Sequence, residues 1–270
     1  MMSDYSIFQV DAFTSEIFRG NPAAVVPLAA WLDETVLQNI AQENNLSETA
    51  FFTRAREEDA DFHLRWFTPV AEVDLCGHAT LAAAHVLFKE LGWQQDRVKF
   101  STEQTGIVTV FRCDDDRLQL DFPAWPGKEI TIFDEFVQAL AARPEQLRLT
   151  RDHMAIFNSE TEVAAVTPHM ARLAKINDVG IIITAPADQL GVDFVSRFFA
   201  PHHGIPEDPV TGSAHCSLIP YWAERLGKTA LMARQISPRG GDLKCTYLPQ
   251  EGRVHIAGHA VTYLKGQIFV

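Results

Sequence analysis

Glu48, Cys76 and His78 in the first half of the chain, with Asp208 and Ser213 in the second, are the side chains whose types suit proton transfer at carbon. Glu48 follows Leu46 and precedes Ala50, Phe51 and Phe52, apolar company that is unusual for a carboxylate. The imidazole of His78 titrates near neutral pH without help. Cys76 ionises if it lies at a helix N-terminus, and is otherwise a small buried hydrophobe. Asp208 stands beside Glu207 and feels a like charge. Two further stretches, Gly77-His78-Ala79 and Gly212-Ser213-Ala214, each read as a glycine turn opening a helix. Such a terminus presents unpaired amides and the positive end of the helix dipole, and glycine lets an anion come close. A small carboxylate-bearing substrate held there has developing enolate charge stabilised by the same donors. Asn21, between Gly20 and Pro22, is either a turn residue or part of a pocket lining.

Other chemistries lack their residues. No phosphate-binding glycine pattern and no nicotinamide or flavin fingerprint is present, and no metal-ligand spacing is convincing, since His202 and His203 are adjacent. The expectation is chemistry without cofactor or metal. A Cys–His hydrolase is disfavoured because Cys76 and His78, two positions apart, do not face each other on a helix.

The stretches that carry these residues look like copies. Arg65-Trp66-Phe67-Thr68-Pro69 corresponds to Arg197-Phe198-Phe199-Ala200-Pro201, 132 residues later, and Gly77 to Gly212, 135 later. Leu91-Gly92 and Leu226-Gly227 keep the offset of 135, and Arg117 and Arg253 are 136 apart. So steady an offset reads as an internal duplication. It predicts an N-terminal domain over 1–123, with a last strand at about 260–270 packing back on it, and a C-terminal domain over 124–259. If the halves face each other, both glycine turns point into one cleft.

Length and composition agree with two such domains. The chain has 270 residues, 47% hydrophobic and 21% charged, enough for two domains with real cores. A formal net charge of −12 argues against nucleic acid or an anionic membrane as partner. No apolar run reaches the length of a membrane span. The first residues, Met1-Met2-Ser3-Asp4-Tyr5, show no leader pattern, and four scattered cysteines form no C-x-x-C pair, so a cytoplasmic protein is expected.

Periodicity predicts helices over 32–42, 81–91, 133–142, 168–175 and 214–226, the last containing Pro220, which should kink it or delay its start. Strands are expected at 5–12, 23–26, 61–67, 98–101, 106–112, 117–122, 153–157, 162–166, 179–184, 193–199, 253–257 and 260–270. Strands do not alternate regularly with helices. The fold class is therefore α+β, with two pseudo-symmetric domains, each a mixed sheet wrapped around a central helix.

At Asp11-Ala12-Phe13, Gly20-Asn21-Pro22, Asn45-Leu46-Ser47-Glu48, Phe67-Thr68-Pro69, Cys76-Gly77-His78-Ala79-Thr80 and Glu207-Asp208 with Thr211-Gly212-Ser213-Ala214, the chain resembles the phenazine-biosynthesis PhzF-like family, which shares the diaminopimelate epimerase-like fold. The resemblance runs nearly end to end. It implies barrel-like domains with the site between them, Glu48 as the proton-transferring residue, and His78, Asp208 and Ser213 around the substrate. In the phenazine enzyme the reaction is isomerisation of a dihydro-hydroxyanthranilate and the protein is a homodimer. Epimerases of this fold use one cysteine from each domain. Here Cys76 stands at the first position and Thr211 at the second, which favours a carboxylate-based isomerase. The alternatives are a racemase or epimerase using Cys76, and a ligand-binding or protein-interaction module without chemistry.

Overall fold

The computed structural model describes residues 3–176 and 180–270. Met1, Met2 and Val179, which begin two of the stretches read above, lie outside the described residues. The chain divides into two compact units, Met1–Phe122 with Ile256–Val270, and Pro123–His255.

In the first unit β1 (Asp4–Ala12) and β2 (Asn21–Pro27) are antiparallel, and β2 runs parallel to β3 (Glu48–Arg54). β4 (Phe62–Phe67) returns antiparallel to β3 and takes the two-residue β5 (Glu72–Val73) on it. β4 is also parallel to β6 (Arg97–Thr102), which continues antiparallel into β7 (Gly106–Arg112) and β8 (Leu118–Pro123). The last strand of the chain, Ala260–Phe269, pairs antiparallel with β1. α1 (Glu34–Asn44) lays Leu37, Ile40 and Ala41 on Val26, Phe51 and Phe67. It ends where Asn45 turns left-handed (φ 48°) and its amide reaches the Ala41 carbonyl at 3.1 Å. α2 (Gly77–His85) is buried along its whole length and packs on β1, β2, β3 and β7. A helix apolar all round needs a surrounding wall, and its alanines let that wall approach. It starts four residues before the expected position and changes hydrogen-bonding pattern at Val86–Glu90, a π turn in which the Leu91 amide reaches the Val86 carbonyl.

The second unit contains β9 (Lys128–Ile130), α3 (Asp134–Leu140), β10 (Gln146–Leu149), β11 (His153–Ile156), α4 (Glu160–Ala165), α5 (Met170–Leu173), β12 (Ile181–Pro186), β13 (Phe194–Ala200), β14 (Ile205–Asp208), α6 (Gly212–Leu226), β15 (Ala230–Gln235) and β16 (Gly241–Leu248). From β10 to β16 the pairings run antiparallel, parallel, antiparallel, parallel, antiparallel, with β14 returning on β13. The same order of senses runs from β1 to β7 in the first unit, with β5 returning on β4. One core of this unit gathers Phe136, Leu140, Leu147, Ile181, Ile183 and Phe199. Each unit thus combines a mixed sheet with helices, an α+β architecture.

Three further elements differ from their sequence patterns. The strand expected at 162–166 is part of helix α4. Ser159 caps it, accepting from the Glu162 amide at 3.2 Å, and the Glu162 carboxylate accepts from the Asn158 amide at 3.1 Å. Ser159-Glu160-Thr161-Glu162 is a capping-box pattern, a helix-start signal that outweighs the β-branched residues around it. The helix over 168–175 shrinks to Met170–Leu173. α6 runs through Pro220 and starts at Gly212. Pro220 has no amide to offer the Cys216 carbonyl, and the Trp125 amide takes its place at 2.8 Å.

Candidate active site

Four side chains of the first unit meet at one end of α2. Gly20 turns the chain at φ 63°, where a Cβ would lie 2.1 Å from the Ala12 carbonyl oxygen, and this tight turn places Asn21 at the start of β2. Glu48 opens β3, opposite Ala23 of the parallel β2. Cys76 precedes α2 with extended backbone (φ −139°, ψ 111°), and its carbonyl accepts from the Thr80 amide and, at 2.6 Å, from the Thr80 hydroxyl. Gly77 and His78 form the first positions of the helix.

His78 is the hub. Its Nε2 lies 3.1 Å from Glu48 Oε2, and its Nδ1 lies 3.1 Å from Asn21 Nδ2 and 3.4 Å from Cys76 Sγ. The Glu48 contact has the distance of an ion pair without the alignment of a hydrogen bond, so both atoms keep capacity for a third partner. The neutral imidazole accepts from Asn21 at Nδ1 and points Nε2–H at Glu48. The charged imidazole turns Nδ1–H toward the Cys76 sulfur. Burial opposes charge on His78, but the Cys76 sulfur and the Glu48 carboxylate outweigh it and hold the pKa well above the ordinary imidazole value. Burial, reinforced by the Glu48 charge, pushes the Cys76 thiol up to about 11. At neutral pH Cys76 is therefore a thiol, and a helix N-terminus does not ionise it.

This contact corrects one expectation. Cys76 and His78 do face each other, because Cys76 lies outside the helix and its extended backbone brings the sulfur back over the first turn. Asn21, read from the sequence as a turn residue or part of a pocket lining, is buried and bonded to His78. Glu48, Cys76 and His78 also offer one carboxylate, one sulfur and one imidazole nitrogen within 4.8 Å of each other, a donor set of the kind zinc takes. Binding a metal there would need the Cys76 proton to leave and His78 to give up a protein partner.

Asp208, Gly212 and Ser213 belong to the second unit. Arg197 on β13 grips Glu207 on β14 through two bonds of 2.8 and 3.0 Å. This takes up the charge expected to press on Asp208. The first unit holds the same clamp between Arg65 on β4 and Glu72 on β5, at 2.7 and 2.6 Å. Thr211, at the position equivalent to Cys76, donates its hydroxyl to the Asp208 carboxylate. Gln235 braces the same turn. Its Oε1 accepts from the Thr211 amide at 2.9 Å and its Nε2 donates to the Asp208 carbonyl at 2.7 Å. Gln235 stands 24 residues from Thr211 in the next strand, and no local pattern marks it. Gly212 and Ser213 are the first residues of α6, with Ser213 half-buried. His215 is fully buried, donates Nδ1–H to the Thr211 carbonyl at 2.8 Å, and has its pKa lowered to about 4 by burial. Cys216 is buried and burial pushes its thiol up, so it is no second thiol base. Among the described residues no helix is long and apolar enough to cross a membrane.

The mixed α+β fold has epimerase-like neighbours. A predicted epimerase from Pseudomonas aeruginosa matches with TM-score 0.74 at 18% identity over 98% of this chain and 99% of that one, a likeness of fold alone. The chain belongs to the phenazine biosynthesis-like protein family, whose model matches residues 10–266. The crystal structure of a PhzF family protein from Enterococcus faecalis is 45% identical with TM-score 0.92, covering 99% of this chain and 100% of that one. An uncharacterized isomerase from Pseudomonas aeruginosa is 52% identical over 262 residues, 96% of this chain and 97% of its own. The human phenazine biosynthesis-like domain-containing protein is 39% identical over 285 residues, 97% of this chain and 98% of its own.

Proposed function

We propose that this protein is an isomerase that shifts a proton between carbons of a small carboxylate-bearing substrate, with Glu48 as the acid–base group and no cofactor. The observation that carries the reading is the buried Glu48–His78 contact, 3.1 Å long and out of hydrogen-bond alignment. A carboxylate held in that way is ready to accept a proton from carbon and return it one position along. His78, charged above the ordinary imidazole range, steadies Glu48 as the anion before transfer and offers Nε2–H to charge that develops on the substrate. The Cys76 sulfur fixes the charged ring through Nδ1–H, and Asn21 donates to Nδ1 of the neutral ring. Isomerase names among the relatives agree with the class. Roles for Asp208, Gly212 and Ser213 in the same turnover, a homodimer and a cytoplasmic location belong to this proposal as well.

The racemase alternative needs a thiol that ionises. Cys76 is held up to about 11, and its repeat position carries Thr211, so the carboxylate mechanism is favoured. The test is incubation with a panel of small unsaturated carboxylates in deuterated water, with and without chelator. Deuterium at carbon in an isomerised product, undiminished by the chelator, supports the proposal. Activity that vanishes with the chelator, or isomerised product free of deuterium from every active substrate, counts against it.

A further inference from the structure

Asp208 and Gln235 meet end to end on one strand. β12 pairs along one edge of β13, and the other edge is shared. β15 pairs there as far as Gln235, opposite Ser196, and β14 takes over with Asp208 opposite Phe198. The turn from Asp208 to Thr211 then leads into α6. Three side chains pin its carbonyls. Gln235 Nε2 donates to that of Asp208 at 2.7 Å, Ser237 Oγ to that of Pro209 at 2.7 Å, and His215 Nδ1 to that of Thr211 at 2.8 Å. Asp208, Thr211 and Gln235 are all buried.

The backbone fixes the direction of the hydrogen bonds among these three side chains. The Thr211 amide can only donate, so Gln235 faces it with its carbonyl oxygen Oε1, 2.9 Å away. The Asp208 carbonyl can only accept, so the nitrogen Nε2 lies on that side. Two backbone groups thus agree on one orientation of the Gln235 amide. Nε2 also reaches Thr211 Oγ1, at 3.2 Å, with its second hydrogen. With that oxygen accepting from Gln235, the single hydroxyl proton of Thr211 goes to Asp208 Oδ2. Oδ2 is therefore an acceptor in the resting protein.

We propose, building on the part Asp208 has in the isomerase reading, that Thr211 and Gln235 are positioning residues that hold Asp208 as an oriented carboxylate. Asp208 then enters turnover as an anion that accepts, and not as an acid that gives a proton. Burial alone favours the protonated carboxyl, which could donate. A hydroxyl that donates to the carboxylate, itself polarised by the Gln235 amide, favours the anion instead. Glu48 is left as the group that both takes the proton from carbon and returns it. Thr211, at the repeat position of Cys76, carries no base of its own and serves by holding its neighbour.

Carboxyl carbon-13 NMR of the full chain with labelled aspartate tests the assignment without any substrate, the Asp208 signal being identified by its loss in Asp208→Asn. Thr211→Val should raise the pH at which Asp208 takes a proton by about one unit or more. Thr211→Ser keeps the hydroxyl and should hold the midpoint within about half a unit of wild type. Gln235→Met should move it in the same direction as Thr211→Val; the near-isosteric Thr211→Val carries the test if Gln235→Met does not fold. With a substrate that the wild type isomerises, Thr211→Val should lower kcat/KM by about tenfold, and should lower it no further in an Asp208→Asn background. A midpoint that Thr211→Val leaves unmoved, or losses from the two changes that simply add, overturns the proposal. A shifted midpoint in a protein that isomerises no compound leaves the hydrogen-bond assignment standing and counts against the isomerase reading instead.

Discussion

Replacing Glu48 by Gln should make the buried His78 lose its charge at neutral pH. The two groups are 3.1 Å apart, and at an effective dielectric of about 20 a charge pair at that separation is worth about 5 kcal/mol. Burial works against the imidazolium, and Cys76, a thiol below about 11, brings no charge to replace the carboxylate at neutral pH. With a neutral amide in place of the carboxylate, burial is opposed only by the Cys76 sulfur, so the His78 pKa should fall. The sign for stability follows. In the wild type the raised His78 pKa contributes stability that is present in full below the unfolded value of about 6.5 and is lost as pH rises through the folded value. In the variant that contribution should vanish. Nitrogen-15 NMR of the histidine rings between pH 5 and 9 reads the protonation directly. A His78 ring still doubly protonated at pH 8 in the variant would refute the electrostatic account of the site.

Cys76→Ser should keep turnover within about tenfold of wild type, because the serine hydroxyl also lies by Nδ1 and no thiolate is used; steady-state kinetics on any substrate found will show it. Stability should fall on acidification from pH 6.5 to 4, because His215 stays neutral when folded down to about 4 but takes a proton when unfolded below about 6.5. For this fully buried ring the difference is about 3 kcal/mol, and urea unfolding of His215→Asn should show a shallower fall. Arg197→Met should destabilise by about 3 kcal/mol, since it strands the half-buried Glu207 and frees the Val163 and Val166 carbonyls, which now accept at 3.1 and 2.8 Å. Urea unfolding of that variant checks the figure.

What the chain reveals without coordinates depends on whether the signal is local. Gly77 and Gly212 open helices as read, because a glycine between an extended loop and an alanine-rich or apolar run is a local signature. Asn45 ends α1 for the same reason. The α+β class follows from irregular alternation of strands and helices. The errors lie where a distant group decides. Pro220 looks like a helix break until the Trp125 amide is seen satisfying the carbonyl it leaves open. Cys76 and His78 seem to diverge when both are placed on a helix, yet the extended residue before the helix bends the sulfur onto the ring. Asn21 is visible as a special turn residue, but its bond to His78, 57 positions away, belongs to the parallel pairing of β2 and β3 around α2. Gln235, which holds the Asp208 turn, carries no pattern at all.

The central claim is that one carboxylate moves the proton, and deuterium entry at the reacting carbon compared between wild type and Glu48→Gln tests it most directly. With a substrate that the wild type isomerises in deuterated water, the variant should bind the compound and leave its C–H bond unlabelled, a loss of at least about a thousandfold in exchange rate. Exchange in the variant at a rate near that of the wild type would show that another group does the chemistry.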